Sequence, residues 1–215
     1  MQFFGENLTC VRGERIVFAD LGFSLSSGDA LTLVGRNGSG KTSLLRVMAG
    51  LTRAISGAIA WDDGAVSEDS VRHHGRLHYV GHQDAVKQVL SVRENLTLWT
   101  RIRGGTEDGL AAGLTRFDLT ALADIPGRYL SAGQRRRLSL ARISATPAPL
   151  WLLDEPTVAL DRESVAALTD AIAEHRAGGG MVVVATNVDL DLANSMMLDL
   201  RDFAPTQSLE EAWVT

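Results

Sequence analysis

Ala30-Leu31-Thr32-Leu33-Val34-Gly35-Arg36-Asn37-Gly38-Ser39-Gly40-Lys41-Thr42-Ser43-Leu44-Leu45-Arg46-Val47-Met48-Ala49-Gly50 contains the whole of GxxxxGK[ST] at Gly35–Thr42. Its flanks give the match its context. Ala30–Val34 reads as a buried strand, and Ser43–Ala49 as a helix stopped by Gly50. Glycines at 35, 38 and 40 let the backbone curl so that successive N–H groups, including those of Arg36, Asn37 and Ser39, point at phosphate oxygens at a helix start. Lys41 then offers a point charge to the β and γ phosphates. Thr42 offers a hydroxyl to Mg²⁺, and Ser43 continues the helix.

Working outward, the longest apolar runs are Leu150-Trp151-Leu152-Leu153 and Met181-Val182-Val183-Val184-Ala185. They are strand-sized and predict strands buried on both faces of a parallel sheet. None approaches the length of about 18 residues that spans a bilayer. Strands alternating with helical stretches predict an α/β core. Residues 1–30 show short alternating segments broken at Gly13, which predict an antiparallel edge sheet. Residues 57–83 add a second strand-rich stretch, with Ala58–Trp61, a turn at Asp62-Asp63-Gly64, and Leu77–Val80. From about 86 to 130 the pattern turns helical and glycine-punctuated, which predicts a small helical subdomain inserted into one domain that occupies residues 1–215.

Composition narrows the function classes. The chain has 215 residues, enough for one large domain, with 45% hydrophobic and 22% charged residues. Its 26 acidic and 21 basic residues give a net charge of −5, which argues against a nucleic-acid-binding surface spread over the protein. The lone Cys10 has no partner for a disulfide and reads as a small packed side chain. With no charged-then-apolar leader ahead of it, a reducing cytoplasm is the expected home.

Asp154-Glu155 follows the strand 150–153, where a doubly wound sheet opens its ligand crevice. Asp154 is a candidate metal carboxylate acting through a water, and Glu155 a candidate base for an attacking water. Leu130-Ser131-Ala132-Gly133-Gln134 precedes Arg135-Arg136-Arg137-Leu138-Ser139-Leu140-Ala141-Arg142, read as an amphipathic helix with Leu138 and Ala141 inward. Its start would be a second anion site. The arginine triplet reads as a solvated face with its stems packed on neighbours.

Together, the phosphate loop, the LSxGQ-type signature, the Asp-Glu strand and Ala159-Leu160-Asp161 resemble the nucleotide-binding domain of ABC transporters over almost the whole chain. The resemblance implies a P-loop NTPase of the ABC ATPase fold that binds ATP and Mg²⁺. Two such domains would meet head to tail, so that Ser131, Gly133 and Gln134 of one copy close over the γ phosphate held by the other. Gln83, which follows a strand, matches that family's Gln that senses metal and transport partner. The resemblance further implies integral membrane subunits as partners and a peripheral place on the cytoplasmic face of the inner or plasma membrane. It implies no nucleic acid and no direct lipid insertion.

A finer similarity rests on Leu77-His78-Tyr79-Val80-Gly81-His82-Gln83, Lys87, Arg93-Glu94-Asn95-Leu96, Pro149–Leu153, and Ala132 in place of the commoner glycine. These resemble the ATP-binding subunits of cytochrome c maturation haem exporters. That resemblance implies an ATPase that drives release of haem from its chaperone. Two positions depart from the ABC pattern. Asn187 stands where a His is usual, and it can donate to a γ-phosphate oxygen but cannot titrate near neutral pH, so slow hydrolysis is expected. Val11-Arg12-Gly13 lacks the usual adenine-stacking aromatic, leaving the planar guanidinium of Arg12 as the stacking group. The alternatives are an ABC ATPase for another cargo, or an ATP-gated dimerising module with weak hydrolysis.

His74, His78 and His82 are spaced four apart, but Leu77–Val80 reads as a strand, which has no helical ligand face, and no metal site is expected there. Trp99 reads as core or docking surface. Pro205–Thr215 is short and weakly patterned, which argues against a regulatory tail.

Overall fold

The computed structural model describes residues 1–187 and 190–205. The reading of Val188-Asp189 and that of 206–215 within the terminal stretch fall outside the described residues. The chain opens with a hairpin of β1 (Gln2–Arg12) and β2 (Arg15–Ser26), turning at Gly13-Glu14. These strands are longer than the broken segments expected, because bulges after Gly5, Leu8 and Cys10 interrupt the alternation without ending the ladder. The phosphate-loop unit follows as β3 (Ala30–Val34) and α1 (Lys41–Met48). Next come β4 (Ser56–Trp61), β5 (Gly64–Ala65), α2 (Ser70–Gly75) and β6 (Leu77–Val80).

The expected helical stretch contains α3 (Val92–Ile102) and α4 (Glu107–Arg116), followed by two 3-10 turns. Residues 86–91 are not helical. They are held as a loop by Asn95 of α3, which accepts from the Lys87 N–H at 2.7 Å and donates to the carbonyls of Lys87, Leu90 and Ser91. Ser91 and Glu94 close a capping box that starts α3 there. The signature helix α5 (Ala132–Ala145) leads to β7 (Leu150–Asp154), α6 (Arg162–Ala177), β8 (Met181–Ala185) and β9 (Met196–Asp199).

The antiparallel edge sheet has the order β2-β1-β4-β5 and the parallel sheet β6-β7-β8-β3-β9. Although β6 belongs in sequence to the second strand-rich stretch, it leaves the edge sheet. It pairs in parallel with β7, Leu77 opposite Leu150 and Val80 opposite Leu153. Every residue of β7 and β8 is buried, because helices cover both faces of the sheet. Alternation divides them: Leu150 and Leu152 pack with Leu44, Leu45 and Met48 of α1, while Trp151 and Leu153 pack with Leu138 and Ala141 of α5 and Leu168 of α6.

Histidines stitch these layers. His73 Nδ1 accepts from Trp61 Nε1 at 3.0 Å, its Nε2 reaches the Met48 carbonyl at 2.9 Å, and burial pushes its pKa down to about 4. His78 contacts the Thr146 carbonyl at 2.9 Å, and burial lowers its pKa to about 3. His175, lowered in the same sense by burial, stacks on Trp151 with ring centroids 3.8 Å apart. In the unfolded chain each would titrate near about 6.5. Below that pH the unfolded chain binds protons that the native chain refuses, so stability is full above it and falls as pH drops toward 4. The thermal midpoint is expected to fall by about 3–10 °C between pH 7 and pH 5, ahead of carboxylate titration. A midpoint that stays level over that window in a pH series of unfolding scans contradicts the assignment.

Candidate functional site

Register brings the site together. Across three neighbouring strands, Asp154 of β7 is level with Ala185 of β8, which is level with Leu33 of β3. The next residues along, Glu155, Thr186-Asn187 and Val34-Gly35, therefore emerge side by side at the carboxyl ends of the strands, where parallel sheets bind ligands.

The phosphate loop turns into α1 through Gly40, whose φ of +105° is open to glycine and strained for other residues. A side chain there would collide with Val17 of β2, so the edge sheet lies directly against the loop. Lys41 is 7% exposed and folded back into the loop, with Nζ donating to the Gly35 carbonyl at 2.7 Å and to Asn187 Oδ1 at 2.9 Å. The buried Ser39 hydroxyl has no hydrogen-bond partner among the described residues. Thr42 Oγ1 donates to both carboxylate oxygens of Asp154, each at 3.0 Å. Asp154 is 1% exposed, and burial raises its pKa against the lowering effect of the Thr42 bond. A hydroxyl and a carboxylate so paired form the hard oxygen set that suits Mg²⁺.

Asn187 is the hub of the polar cluster. Because Lys41 only donates and an ionised carboxylate only accepts, the amide has one orientation. Its Oδ1 takes the Lys41 bond, while Nδ2 donates to Glu155 Oε1 at 2.7 Å and to Asn37 Oδ1 at 2.8 Å. The Asn187 backbone N–H also reaches Glu155 Oε2 at 3.3 Å. Glu155 sits at φ +45°, a left-handed conformation that costs a non-glycine residue on the order of 1–2 kcal/mol. Its own N–H extends the sheet ladder to the Ala185 carbonyl at 2.8 Å.

Other candidates lie apart from this cluster. Gln83 is exposed just beyond β6 and makes no hydrogen bond among the described residues. Arg12 is exposed at the end of the β1–β2 hairpin, opposite Arg15. Ser131 and Gln134 close a capping box on α5, Ser131 Oγ accepting from the Gln134 N–H at 3.2 Å and Gln134 Oε1 from the Ser131 N–H at 2.8 Å. With Gly133, Arg137 and Ala159-Leu160-Asp161 they line an open groove of about 520 Å³. A Cβ on Gly133 would stand 2.7 Å from the Ala159 carbonyl, so the two motifs are packed backbone to backbone.

The reading of the arginine triplet as a solvated face is corrected at its middle member. Arg136 is 3% exposed. It donates to the carbonyls of Gly81, Asp154, Glu155 and Pro156 at 2.8, 2.7, 2.8 and 3.3 Å, and reaches Asp84 Oδ1 at 3.4 Å. Nor is α5 simply amphipathic: Arg136, Ser139, Leu140, Arg142 and Ile143 are buried along with Leu138 and Ala141, because helices and sheet enclose it. Trp99 lies half-buried beneath the Arg142 guanidinium, 4.5 Å from ring centroid to charge. Among the described residues no helix is long and apolar enough to cross a membrane.

The geometry has counterparts among known proteins. The family profile described as "ABC transporter" matches residues 18–158. The chain is similar to the "Cytochrome c biogenesis ATP-binding export protein CcmA" of Paramagnetospirillum magneticum, at 54% identity over 96% of this chain and 97% of that one. The protein of the same name from Rhodospirillum rubrum is 55% identical over 96% of this chain and 88% of its own. Among solved structures, a dimeric post-hydrolysis state of the ATP-binding cassette MJ0796 bound to ADP and Pi superposes with a TM-score of 0.79 at 23% identity, covering 95% and 97% of the two chains. With a complete phosphate loop beside an Asp-Glu strand end, and near full-length identity above half, this chain belongs to the ABC transporter ATPase family and, within it, to the cytochrome c biogenesis export proteins of the CcmA group.

Proposed function

We propose that this chain is the ATP-hydrolysing subunit of the export complex of cytochrome c biogenesis, one nucleotide-binding domain over residues 1–215 with about 86–130 as its inserted helical subdomain, acting on a haem-bearing cargo through membrane subunits. The observation that carries the reading is the convergence of three groups at one crevice: Lys41, the Thr42–Asp154 oxygen pair, and Glu155 held to Lys41 through Asn187. The loop N–H groups from Arg36 to Ser43 cradle the phosphates, and Lys41 neutralises the β and γ oxygens. Thr42 and Asp154, joined by Gln83 from its loop, would hold Mg²⁺, which would supply positive charge to the phosphates. Glu155 orients and deprotonates the attacking water. Ser131, Gly133 and Gln134 of a second copy close the site from the groove that they share with Ala159–Asp161, and the planar guanidinium of Arg12 serves as the stacking group for the base.

A peripheral place on the cytoplasmic side of the membrane follows from docking to such subunits. Copurification of the tagged chain with polytopic membrane subunits carrying bound haem, and stimulation of phosphate release by them, tests the assignment. The assignment fails if the chain returns alone or with partners that bear no haem.

Asn187 supports a second reading, a dimer gated by ATP with little turnover, because its amide already occupies both Glu155 and Lys41. Asn187→His separates the two. A neutral imidazole accepts from Lys41 on one nitrogen and donates to Glu155 on the other, but an imidazolium cannot accept. The variant is expected to turn over about three- to tenfold faster at pH 8 and to lose that gain below about pH 6.5, whereas the parent stays level across the window. Parent turnover that is undetectable with the membrane subunits present favours the gating reading.

A further inference from the structure

We propose that Arg136 is the positioning residue for Glu155, and that it ties the Gln83 loop and the start of the signature helix to that carboxylate within a single chain. The inference rests on Glu155 being the base.

A guanidinium carries five N–H donors in a rigid plane, and every one of those of Arg136 has an acceptor. Nη2 donates to the carbonyls of Asp154 at 2.7 Å and Glu155 at 2.8 Å, and Nε donates to Pro156 at 3.3 Å. Three successive carbonyls can converge on one side chain because Glu155 is left-handed at φ +45°, which turns its carbonyl back toward α5. The same backbone twist aims the Glu155 side chain at Asn187. Arg136 therefore holds the conformation that directs the carboxylate into the crevice, while its own atoms remain outside the crevice.

The remaining two donors face the other way. Nη1 takes the Gly81 carbonyl at 2.8 Å and Asp84 Oδ1 at 3.4 Å, the residues that bracket His82-Gln83. The loop that carries Gln83 is thus suspended from the same guanidinium as the strand end that carries Glu155. The arginine itself belongs to the first turns of α5, whose start lines the groove proposed to meet a second copy. A displacement of either element moves an acceptor or the backbone of this side chain, and through it the Glu155 carbonyl. Lysine has three donors and no plane, so it can satisfy only part of the set. Glutamine leaves most of the carbonyls to water.

Arg136→Gln and Arg136→Lys in the full chain, with Glu155→Gln as the reference, test the assignment by the split between kcat and KM and by nucleotide affinity. Arg136→Gln is expected to lower kcat about 30-fold, the size of a base displaced by a fraction of an ångström, with KM for MgATP and ATP affinity within about threefold of the parent. Arg136→Lys is expected to recover part of that loss, to within about tenfold of the parent kcat. A kcat for Arg136→Gln within about threefold of the parent, in a chain that Glu155→Gln silences, overturns the proposal and leaves Glu155 as base intact. So does a loss of ATP affinity as large as the loss of kcat, which marks Arg136 as part of the scaffold alone. Turnover that survives Glu155→Gln removes the base reading, and this proposal falls with it. If Arg136→Gln does not fold, the same split in Arg136→Lys decides.

Discussion

Glu155→Gln is expected to lower steady-state phosphate release by about 10²- to 10⁴-fold while two copies still assemble on ATP. The amide is nearly isosteric with the carboxylate, so packing at the end of β7 is kept and the Asn187 Nδ2 donor still finds the side-chain oxygen in place of Oε1. What disappears is the proton acceptor. The variant also removes a negative charge beside the crevice into which a triphosphate must fit, so ATP affinity is expected to stay level or tighten. Phosphate release by coupled assay, with the mass of the ATP-bound species measured in parallel, reads both effects. Release that persists within about threefold of the parent assigns the proton to another group and removes the mechanism proposed above. Loss of both turnover and assembly shows instead that the residue supports the fold or the interface.

The contrast between Glu155 and Arg136 shows which parts of the site a sequence can disclose. Gly35–Thr42 and the strand and helix on either side are contiguous, so the loop's setting follows from local rules, and the structure has β3 and α1 where those rules put them. Asp154-Glu155 was legible for a similar reason, as a pair of charges ending a run of buried apolar residues. Asn187 could be located as a departure from a pattern, but its bridge to Lys41 spans 146 residues and its bridge to Glu155 spans 32, and no local rule reports such contacts. The transfer of β6 into the parallel sheet was hidden likewise, since four residues of Leu77–Val80 look the same in either sheet.

Arg136 was misread because a run of three arginines is usually solvated. A usable signal existed: Arg136, Leu140 and Ile143 stand at i, i+4 and i+7, and all three are buried, so the spacing points the middle arginine inward, while Arg135 and Arg137 are half-buried. What the stripe could not supply was the acceptor set, because four carbonyls at the ends of β6 and β7 exist as a cluster only after the sheet has formed. In physical terms, a charge can be buried where folding creates several acceptors at once, and composition is silent about that.

Lys41→Ala is expected to weaken MgATP binding by at least about 100-fold, near 3 kcal/mol, through two effects that reinforce each other. In the structure Lys41 is 7% exposed and its ammonium shapes the loop, holding the Gly35 carbonyl at 2.7 Å and Asn187 Oδ1 at 2.9 Å. Its removal leaves the Gly35 carbonyl and the Asn187 oxygen without that donor, so the loop loses preorganisation before any anion arrives. It then fails to neutralise the β and γ oxygens in a site where neighbouring Asp154 and Glu155 already contribute negative charge. Lys41→Arg is expected to recover little, because the longer planar fork cannot take both the carbonyl and the amide oxygen in the space that one ammonium fills. The charge-preserving variant therefore separates geometry from charge: if binding depends on net charge alone, arginine restores it to within about threefold. Titration calorimetry with ATP and Mg²⁺, alongside thermal unfolding to show that both variants fold, measures the difference. ATP affinity unchanged in Lys41→Ala takes the phosphates away from this loop, and with them every role assigned here to Thr42, Asp154 and Glu155.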